Sequence, residues 1–277
     1  MTNKTFDTIL STIGKNGLTP YYSSPRAVLF NNDCLEIMAL IPENSIDMVF
    51  ADPPYLLSNN GFTCQNGRMA PVNKGKWDKS KGINEDISFH DEWIRSARRV
   101  LKPEGTIWIS GTYHNIYQCG YLLQKNDFHI LNDIVWFKPN ASPNLSCRFF
   151  TASHETLLWA RKDKKSKHIF NYEEMKNGNF PEDKLKKDNT QMRSVWSIPT
   201  TRPTEKEYGK HPTQKPLDLL MRVIMASTNS GSIILDPFNG SGTTGVAAVL
   251  AGNRFYIGTE IDENYCKLSE SRLKFIK

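Results

Sequence analysis

The 277-residue chain is poor in cysteine and has no long hydrophobic run. No apolar stretch approaches the roughly 20 residues of a membrane span. The first fifteen residues lack the cationic start and apolar core of an export signal. Its cysteines are odd in number, and no two form a CxxC pair: Cys34, Cys64, Cys119, Cys147 and Cys266. This pattern argues against a disulfide framework and a zinc site. We therefore expect a cytoplasmic protein with reduced thiols, no metal and no membrane partner.

Charge is nearly balanced, with a formal net charge of +6. A mild positive excess favours a polyanionic partner, but many basic enzymes bind no nucleic acid, so the charge alone does not decide. Lysine and arginine concentrate in two runs, Arg161–Lys167 and Lys184–Lys187. Each run is either a solvated surface or a set of phosphate contacts, and for Arg161–Lys167 we expect phosphate contacts.

Two common nucleotide-binding motifs are also missing. The glycine-rich stretch Asp236–Gly245 has neither the Gly-Lys-Ser/Thr of a phosphate loop nor the GxGxxG spacing. It connects a predicted strand to a predicted helix whose free N–H groups point into the turn. One strand later comes Glu260, at a position where an acid suits hydrogen bonds to a ribose diol. The pattern predicts a site for a nucleoside that carries an anionic group but no pyrophosphate.

A second turn with unusual chemistry is Asp52-Pro53-Pro54-Tyr55, which follows the apolar run Ile46–Ala51. Neither proline has an N–H, and each disfavours helical geometry in the residue before it. The result is a stiff corner that fixes an acid and an aromatic ring at the carboxyl end of a strand, where α/β sheets bind ligands. Any Asp-Pro could provide a polar strand exit, but the glycine turn further along favours a functional site.

Strands alternate with helices at both ends of the chain. This alternation predicts a doubly wound, mostly parallel α/β sheet with helices on both faces. The predicted strands are Arg26–Phe30, Ile46–Ala51, Thr106–Ser110, Ile130–Phe137, Glu155–Ala160, Val195–Ile198, Ser232–Leu235 and Phe255–Gly258. The predicted helices are Cys34–Leu40, Phe89–Leu101, Asn115–Gln124, Pro216–Ser227, Thr243–Leu250 and Glu263–Phe275.

Three segments lack this regularity. Residues 1–25 are rich in Gly, Pro, Ser and Asn and are predicted to form a poorly ordered arm. Leu56–Ser88 has almost no periodicity, and a loop of this length is typical of a lid or a binding loop. Residues 138–210 are polar and irregular apart from two short strands, so we expect them to lie outside the sheet.

Three motifs together resemble the signature set of DNA amino-methyltransferases, which use S-adenosylmethionine (AdoMet). They are Asp52–Tyr55, the turn Phe238–Gly242, and His211-Pro212-Thr213-Gln214-Lys215-Pro216. Their order resembles the β class, in which the Rossmann-like methyltransferase fold is circularly permuted. The resemblance begins near Val28 and runs to the C-terminus. It implies an N-terminal arm at 1–25, a catalytic domain formed by 26–137 and 211–277, and a target-recognition insert at 138–210.

The resemblance also implies roles for the matching residues. Asp52 and the Pro53 carbonyl would accept hydrogen bonds from the target amino group in the corner that Pro54 completes, and Tyr55 would stack on the extruded base. Asp33 would meet the adenine of AdoMet, unless it only caps the following helix. Lys215 is the least certain member, because it could simply begin a helix. The implied cofactor-binding set is Asp33, Asp52, His211, Thr213, Lys215, Asp236, Phe238, Gly240, Ser241, Gly242, Thr243 and Glu260.

A further resemblance suggests the substrate. The stretch Pro143–Phe150 is similar to the GATC-modifying adenine methylases of Dpn II-type restriction-modification systems. The implied reaction is methylation of adenine N6 in DNA, with the base flipped out of a duplex or presented on a single strand. Three alternatives remain: an N4-cytosine enzyme, although the family tends to place Ser before Pro-Pro for cytosine; an RNA or protein methyltransferase; and a non-enzymatic binding protein. The resemblance also allows a homodimer and places the protein in the bacterial nucleoid.

Overall fold

The computed structural model describes residues 3–55, 62–65, 68–71 and 78–276. Its helices are α1 (Lys4–Lys15), α2 (Cys34–Leu40), α3 (Ile83–Val100), α4 (Ile116–Lys125), α5 (Tyr172–Asn177), α6 (Leu217–Ser227), α7 (Thr243–Leu250) and α8 (Glu263–Lys274). Its strands are β1 (Tyr22–Ser23), β2 (Ala27–Phe30), β3 (Ile46–Ala51), β4 (Phe62–Gln65), β5 (Arg68–Pro71), β6 (Leu101–Gly111), β7 (His129–Phe137), β8 (His154–Arg161), β9 (Val195–Ser197), β10 (Ile233–Asp236) and β11 (Phe255–Thr259).

Nine of these strands form one sheet in the order β1-β2-β11-β10-β3-β6-β8-β7-β9, and β4 pairs with β5 in a separate hairpin. Seven strands of the large sheet run in one direction, while β1 and β8 run against their neighbours. The predicted mostly parallel sheet is confirmed. In β6 the register shifts between Leu101 and Thr106, at the Lys102–Gly105 turn that was expected to separate helix from strand.

Helices cover both faces of the sheet, as a doubly wound fold requires. On one face, buried residues of α1 to α4 pack on the sheet in a cluster that contains Trp93. On the other face, α6, α7 and α8 pack around Trp108, whose ring stacks on that of Trp159 at 4.9 Å. Fully burying a large apolar side chain stabilises a fold by about 1.5–3 kcal/mol, so these two clusters fix the sheet firmly.

The N-terminal segment differs from the prediction of a poorly ordered arm, which is wrong for α1. The side chain of Asn3 caps this helix by accepting the N–H groups of Thr5 and Phe6 at 3.0 and 3.1 Å. Phe6, Ile9 and Ile13 form a buried stripe at helical spacing. Of the glycine and proline residues that suggested disorder, Gly14 lies inside the helix and the others come after it. This local composition obscured the amphipathic pattern.

Residues 138–210 also differ from the expectation, because both of their strands belong to the large sheet. Strand β8 lies between β6 and β7, with Thr106 opposite Arg161 and Gly111 opposite Thr156. A buried ion pair of 2.7 Å between Asp183 and Arg222 of α6 joins a further part of this region to the sheet layer. A strand enters a sheet through backbone hydrogen bonds, so irregular flanking sequence does not exclude it.

The long loop predicted at Leu56–Ser88 is shorter than expected. Within its described part, β4 and β5 form an antiparallel hairpin, and α3 begins at Ile83 rather than at Phe89. Residues 56–61, 66–67 and 72–77 lie outside the described residues. The prediction of a lid or a binding loop therefore falls partly on residues outside the described ranges.

Candidate active site

The topology collects most of the predicted site residues at one edge of the sheet. Seven parallel strands end at this edge, which we call the carboxyl edge; the opposite one is the amino edge. Asp33 follows β2, Asp52 follows β3, and Glu260 follows β11. The glycine turn follows β10, and the segment with His211 follows β9. Ligands of parallel α/β sheets bind at such an edge, so the predicted motifs meet where chemistry is expected.

A cavity of about 1030 Å³ opens at the carboxyl edge. It exceeds the space of an ordinary small-molecule site, so it can hold a nucleoside cofactor together with part of a substrate. The predicted residues that line it are Asp33, Asp52, Pro53, Pro54, Tyr55, His211, Thr213, Phe238, Gly240 and Glu260. Lys79, Lys81 and Phe89 also line it, and the sequence analysis had assigned them no role.

Four other predicted residues lie behind the cavity wall. Lys215, Asp236, Ser241 and Thr243 line a separate crevice of about 20 Å³. The Asp236 carboxylate is only 2% exposed and accepts the N–H of Phe238 at 2.9 Å. Burial raises the pKa of Asp236 to about 7. This position suits a residue that shapes the turn rather than one that touches a ligand directly.

The glycine turn depends on Gly242. Its φ of +76° lies in the left-handed region, and a Cβ there would lie 2.2 Å from the Ser269 hydroxyl oxygen. A residue that the sequence analysis missed, Arg272, clamps the turn from α8. Its Nη1 donates to the Ser241 carbonyl at 2.7 Å and to the Thr243 hydroxyl at 2.9 Å. These hydrogen bonds from α8 hold the turn rigid, and Gly240 of the same turn lines the cavity.

Glu260 and Phe238 both line the cavity. The two carboxylate oxygens of Glu260 accept the N–H groups of Gly240 at 2.7 Å and Asp262 at 2.9 Å. Each oxygen can accept a second hydrogen bond, so the carboxylate can still bind a hydroxyl group. Burial raises the pKa of Glu260. The Phe238 ring meets that of Trp93 edge to face at 5.4 Å, which fixes an apolar wall beside the acid.

Asp33 combines the two roles that the sequence left open. Its side chain accepts the Leu35 N–H at 2.8 Å and so caps α2, and it also lines the cavity. Capping uses one oxygen of the carboxylate and leaves the other able to accept a hydrogen bond.

Asp52 also lines the cavity and lies between two fixed partners. Its Oδ1 accepts the Tyr55 hydroxyl at 2.6 Å, and its Oδ2 accepts Lys215 Nζ at 2.6 Å. The Tyr55 ring is 4% exposed, and its hydroxyl is also 3.1 Å from the Ser110 hydroxyl. Asn115 Nδ2 donates to the Pro54 carbonyl at 3.4 Å. The corner therefore holds its acid through side chains as well as through its prolines.

Glu155 completes this network, and the sequence analysis did not anticipate it. Its Oε2 accepts the Tyr55 hydroxyl at 2.8 Å and lies 3.4 Å from Lys215 Nζ, while Oε1 accepts Lys138 Nζ at 3.0 Å. A tyrosine hydroxyl has one proton, so Tyr55 can donate to only one of the two carboxylates at a time. Asp52 and Glu155 are thus coupled through Tyr55 and Lys215.

The charges in this network are unequal. Burial raises the pKa of Asp52 and outweighs the attraction of Lys215. Burial alone would also raise the pKa of Glu155, but the charges on Lys215 and Lys138 outweigh it and hold that pKa at about 2. Glu155 has two lysine partners and Asp52 has one, which accounts for the difference. Strongly perturbed, mutually coupled carboxylates at a cavity are typical of catalytic sites.

The basic run Arg161–Lys167 lies away from this site. Arg161 pairs with Thr106 near the start of the regular part of β6, five positions from the Gly111–Thr156 pair at the carboxyl edge. At roughly 3.4 Å per residue, this separates the run from the site by about 17 Å. Arg161 donates to the Ser166 carbonyl and Lys162 to the Leu101 carbonyl, so two of its cations stabilise the amino edge.

Neither a metal-binding cluster nor a membrane span occurs among the described residues. No group of three or more His, Cys, Asp or Glu side chains in this part of the chain could hold a metal ion. No helix within the same part is long and apolar enough to cross a membrane.

Comparison with known proteins identifies the family. Residues 46–271 match the family model described as DNA methylase. The chain is 49% identical over 256 residues to Type II methyltransferase M2.DpnII of Streptococcus pneumoniae, with 92% of each chain covered. It is 50% identical over 255 residues to M2.LlaDCHI of Lactococcus lactis subsp. cremoris, with 92% of this chain and 91% of that protein covered. The chain belongs to the DNA methylase family.

Solved structures agree with this assignment. The crystal structure of the M1.HpyAVI–SAM complex matches this DNA methylase with a TM-score of 0.64 and 25% identity, covering 89% of this chain and 98% of that one. The predicted fold, the methyltransferase activity and the DNA partner are confirmed at the level of the family. AdoMet is the cofactor.

The cavity of this DNA methylase fits AdoMet. Gly240 has a φ of +52°, which favours glycine, and it lines the cavity, so the turn has no side chain at this point of the lining. Glu260 supplies a carboxylate for hydroxyl groups, and Phe238 supplies an apolar face in the same cavity. An acid, an apolar wall and exposed backbone within one cavity are what a nucleoside with a charged tail requires.

Proposed function

We propose that this DNA methylase methylates adenine N6 within GATC, as part of a restriction-modification system. The observation that carries the proposal is Asp52, a carboxylate that lines the same cavity as Glu260. The names of the Type II methyltransferases M2.DpnII and M2.LlaDCHI support the biological context. The resemblance of residues 143–150 to GATC-modifying adenine methylases supports the recognition sequence.

Asp52 and Pro53 act on the target amine. An exocyclic purine amine is a poor nucleophile because its lone pair is delocalised into the ring. Hydrogen bonds from its two N–H groups to the Asp52 carboxylate and the Pro53 carbonyl favour a pyramidal nitrogen with a directed lone pair. When bound, AdoMet supplies an electrophilic methyl group on its sulfonium. Alignment of reacting groups lowers a barrier by about 7–11 kcal/mol relative to free reactants. We assign the proton that the amine then loses to Asp52.

Glu155 and Lys215 are positioning residues in this scheme. Lys215 neutralises part of the charge of Asp52 through their 2.6 Å contact. Glu155 orients Lys215 and the Tyr55 hydroxyl. This orientation keeps one lone pair of the Asp52 carboxylate directed into the cavity. Breaking one member of a buried charge pair costs about 3–5 kcal/mol, which makes the network sensitive to single changes.

The cofactor contacts divide into two groups. Asp33, His211, Thr213, Phe238, Gly240 and Glu260 line the cavity, and we propose that they contact AdoMet. Lys215, Asp236, Ser241, Gly242 and Thr243 would act indirectly by shaping the turn. The proposed ribose ligand is Glu260, whose two oxygens can each accept a hydroxyl group beside their backbone partners.

The finer points about DNA are part of the same proposal. The target base is flipped out of the duplex or presented on a single strand, and Tyr55 stacks on it once its buried ring has opened to the cavity. Residues 138–210 serve as the target-recognition region of the catalytic domain formed by 26–137 and 211–277. The homodimer remains a prediction, which light scattering tests. The association with the nucleoid remains a prediction as well, and cell fractionation tests it.

Analysis of the methylated nucleoside tests the proposal. Purified protein with methyl-labelled AdoMet is incubated with GATC duplexes, the corresponding single strands, duplexes in which the site is scrambled, and RNA. The nucleosides are then separated and weighed by mass spectrometry. We expect N6-methyladenine from GATC-containing DNA alone. Label in N4-methylcytosine would assign the enzyme to the cytosine alternative, and label in RNA or in the scrambled duplex would contradict the proposed substrate.

A further inference from the structure

Two phenylalanines near the site are unusually exposed. They belong to the loop of residues 138–153 between β7 and β8, which we call the β7–β8 loop. The side chain of Phe149 is 67% exposed and that of Phe150 is 97% exposed. An exposed apolar pair of this size is often a contact surface in a soluble protein. Arg148 beside them is exposed as well and adds a positive charge.

The loop holds these side chains in a fixed shape. Asn144 Nδ2 donates to the Phe149 carbonyl at 2.6 Å, and Asn144 Oδ1 accepts the Ser146 N–H at 3.0 Å. The Asn144 N–H donates to the Thr151 hydroxyl at 3.3 Å. Cys147 adopts a φ of +54°, which closes the turn before Arg148. One asparagine therefore ties Ser146, Phe149 and Thr151 together, and the two phenylalanine side chains remain exposed.

The base of the loop is part of the catalytic network. The Lys138 N–H donates to the Ser153 carbonyl at 2.7 Å, and Lys138 Nζ bonds to Glu155 at 3.0 Å. Glu155 in turn accepts the Tyr55 hydroxyl at 2.8 Å. Phe150 is five residues from Glu155, so the chain places it within about 18 Å of this acid. The loop that carries the phenylalanines thus leaves the sheet at the carboxyl edge, and its first residue bonds to the acid that holds the Tyr55 hydroxyl.

We propose that Phe149 and Phe150 enter the base stack of DNA beside the target base and occupy the space that the extruded base leaves. This inference rests on the proposed function. Apolar wedges that unstack base steps are a known way to deform DNA, and an extruded base leaves a gap between stacked neighbours. Arg148 directly precedes them and is exposed, so its charge suits the flanking phosphates. A stacked, polyanionic partner matches two exposed phenylalanines beside an arginine better than a purely apolar partner does.

The test compares two DNA substrates. In one duplex the target adenine is paired normally; in the other it faces an abasic site, so its pair is already broken. For the double variant Phe149→Ala/Phe150→Ala we expect kcat/KM to fall roughly 10- to 100-fold on the paired duplex. On the abasic duplex the loss should be much smaller, because unpairing costs less there. AdoMet affinity, measured by calorimetry, should stay at the wild-type value and shows that the variant folds.

Phe170→Ala is the matched control. Phe170 is exposed, and the neighbouring Asn171 N–H donates to the Ala226 carbonyl near the end of α6, away from the carboxyl edge. This variant should behave as wild type on both duplexes. If kcat/KM of the double variant falls equally on both duplexes, or does not fall, the proposal that the two phenylalanines enter the base stack is overturned. Conversion of a wild-type dimer to a monomer by the double variant would overturn it in favour of a subunit interface. A wild-type protein that methylates neither duplex would overturn the proposed function itself.

Discussion

The two edges of the sheet carry positive charge in different ways. At the amino edge, Lys164, Lys165 and Lys167 lie exposed in a dense basic run. At the carboxyl edge, Lys138 and Lys215 are largely buried and paired with Glu155 and Asp52. A dense run of lysine is conspicuous in a sequence, whereas the paired lysines are scattered along it. Strand direction, rather than local charge density, therefore decides which lysines lie beside Glu155 and Asp52.

Loss of charge at Asp52 should have the largest effect at the carboxyl edge. In Asp52→Asn we expect methyl transfer to fall about 10³-fold or more, because a neutral amide is a poor acceptor for the amine and its proton. AdoMet affinity should survive, and isothermal calorimetry checks it. Asp163→Asn, the matched change at the amino edge, should leave the rate unchanged. Near wild-type activity of Asp52→Asn would remove Asp52 from the mechanism.

Glu260 should affect the cofactor rather than the methyl transfer. In Glu260→Ala two charge-assisted hydrogen bonds to the ribose are lost, each of about 1.5–3 kcal/mol. We expect the Kd for AdoMet to rise by roughly 100-fold or more in a variant whose circular dichroism spectrum is native. Glu260→Gln, which keeps the shape, should show a smaller increase. An unchanged Kd in the folded alanine variant would contradict the assignment of Glu260.

Glu155 should change the pH dependence of the reaction. Asp52 must be ionised to accept the amine, so activity falls as the pH drops through its raised pKa. The negative charge of Glu155 is one of the causes that raise this pKa. Glu155→Gln removes that charge, so the acid limb of the kcat profile should move to lower pH. Ser110→Ala loses a neutral contact to the same Tyr55 hydroxyl and should leave the limb in place. An acid limb that stays fixed, or rises, in Glu155→Gln would mean that Glu155 is only structural.

The basic run should have the smallest effect. Three lost phosphate contacts would reduce the salt slope of DNA binding by about 2.7, since each contact contributes about 0.9. Because the run lies at the amino edge, we expect the wild-type slope in Lys164→Ala/Lys165→Ala/Lys167→Ala. Arg148→Ala at the carboxyl edge should reduce the slope by about 1. Filter binding at several salt concentrations measures both, and the reverse result would place the DNA at the amino edge.

Local signals in the sequence were sufficient to predict many of the residues that line the cavity. Asp52–Tyr55, the glycine turn and Glu260 each follow a predicted strand, and parallel strands end at a common edge. The alternation of strands and helices therefore predicts that these three features lie at the same edge of the sheet. The bounds of α2, β3 and α7 match the prediction, because their apolar patterns and caps are local.

The order of the strands in the sheet could not be predicted from local patterns in the sequence. Glu155 reaches Tyr55 only because β8 runs antiparallel between β6 and β7. The same order sends Arg161 and the basic run to the amino edge. Neither strand order nor direction can be deduced from periodicity, since both depend on contacts between distant segments. The short amphipathic stripe of α1 was visible, but the composition of residues 16–25 outweighed it.

Hydrogen–deuterium exchange of the protein with and without a GATC duplex compares the two edges most directly. It should be recorded with AdoMet's demethylated product bound, so that no turnover occurs. We predict that DNA protects peptides covering residues 138–153 at the carboxyl edge and leaves peptides covering residues 161–170 unchanged. Protection of residues 161–170 without protection of the β7–β8 loop would contradict the assignment of the carboxyl edge as the place where DNA and cofactor meet.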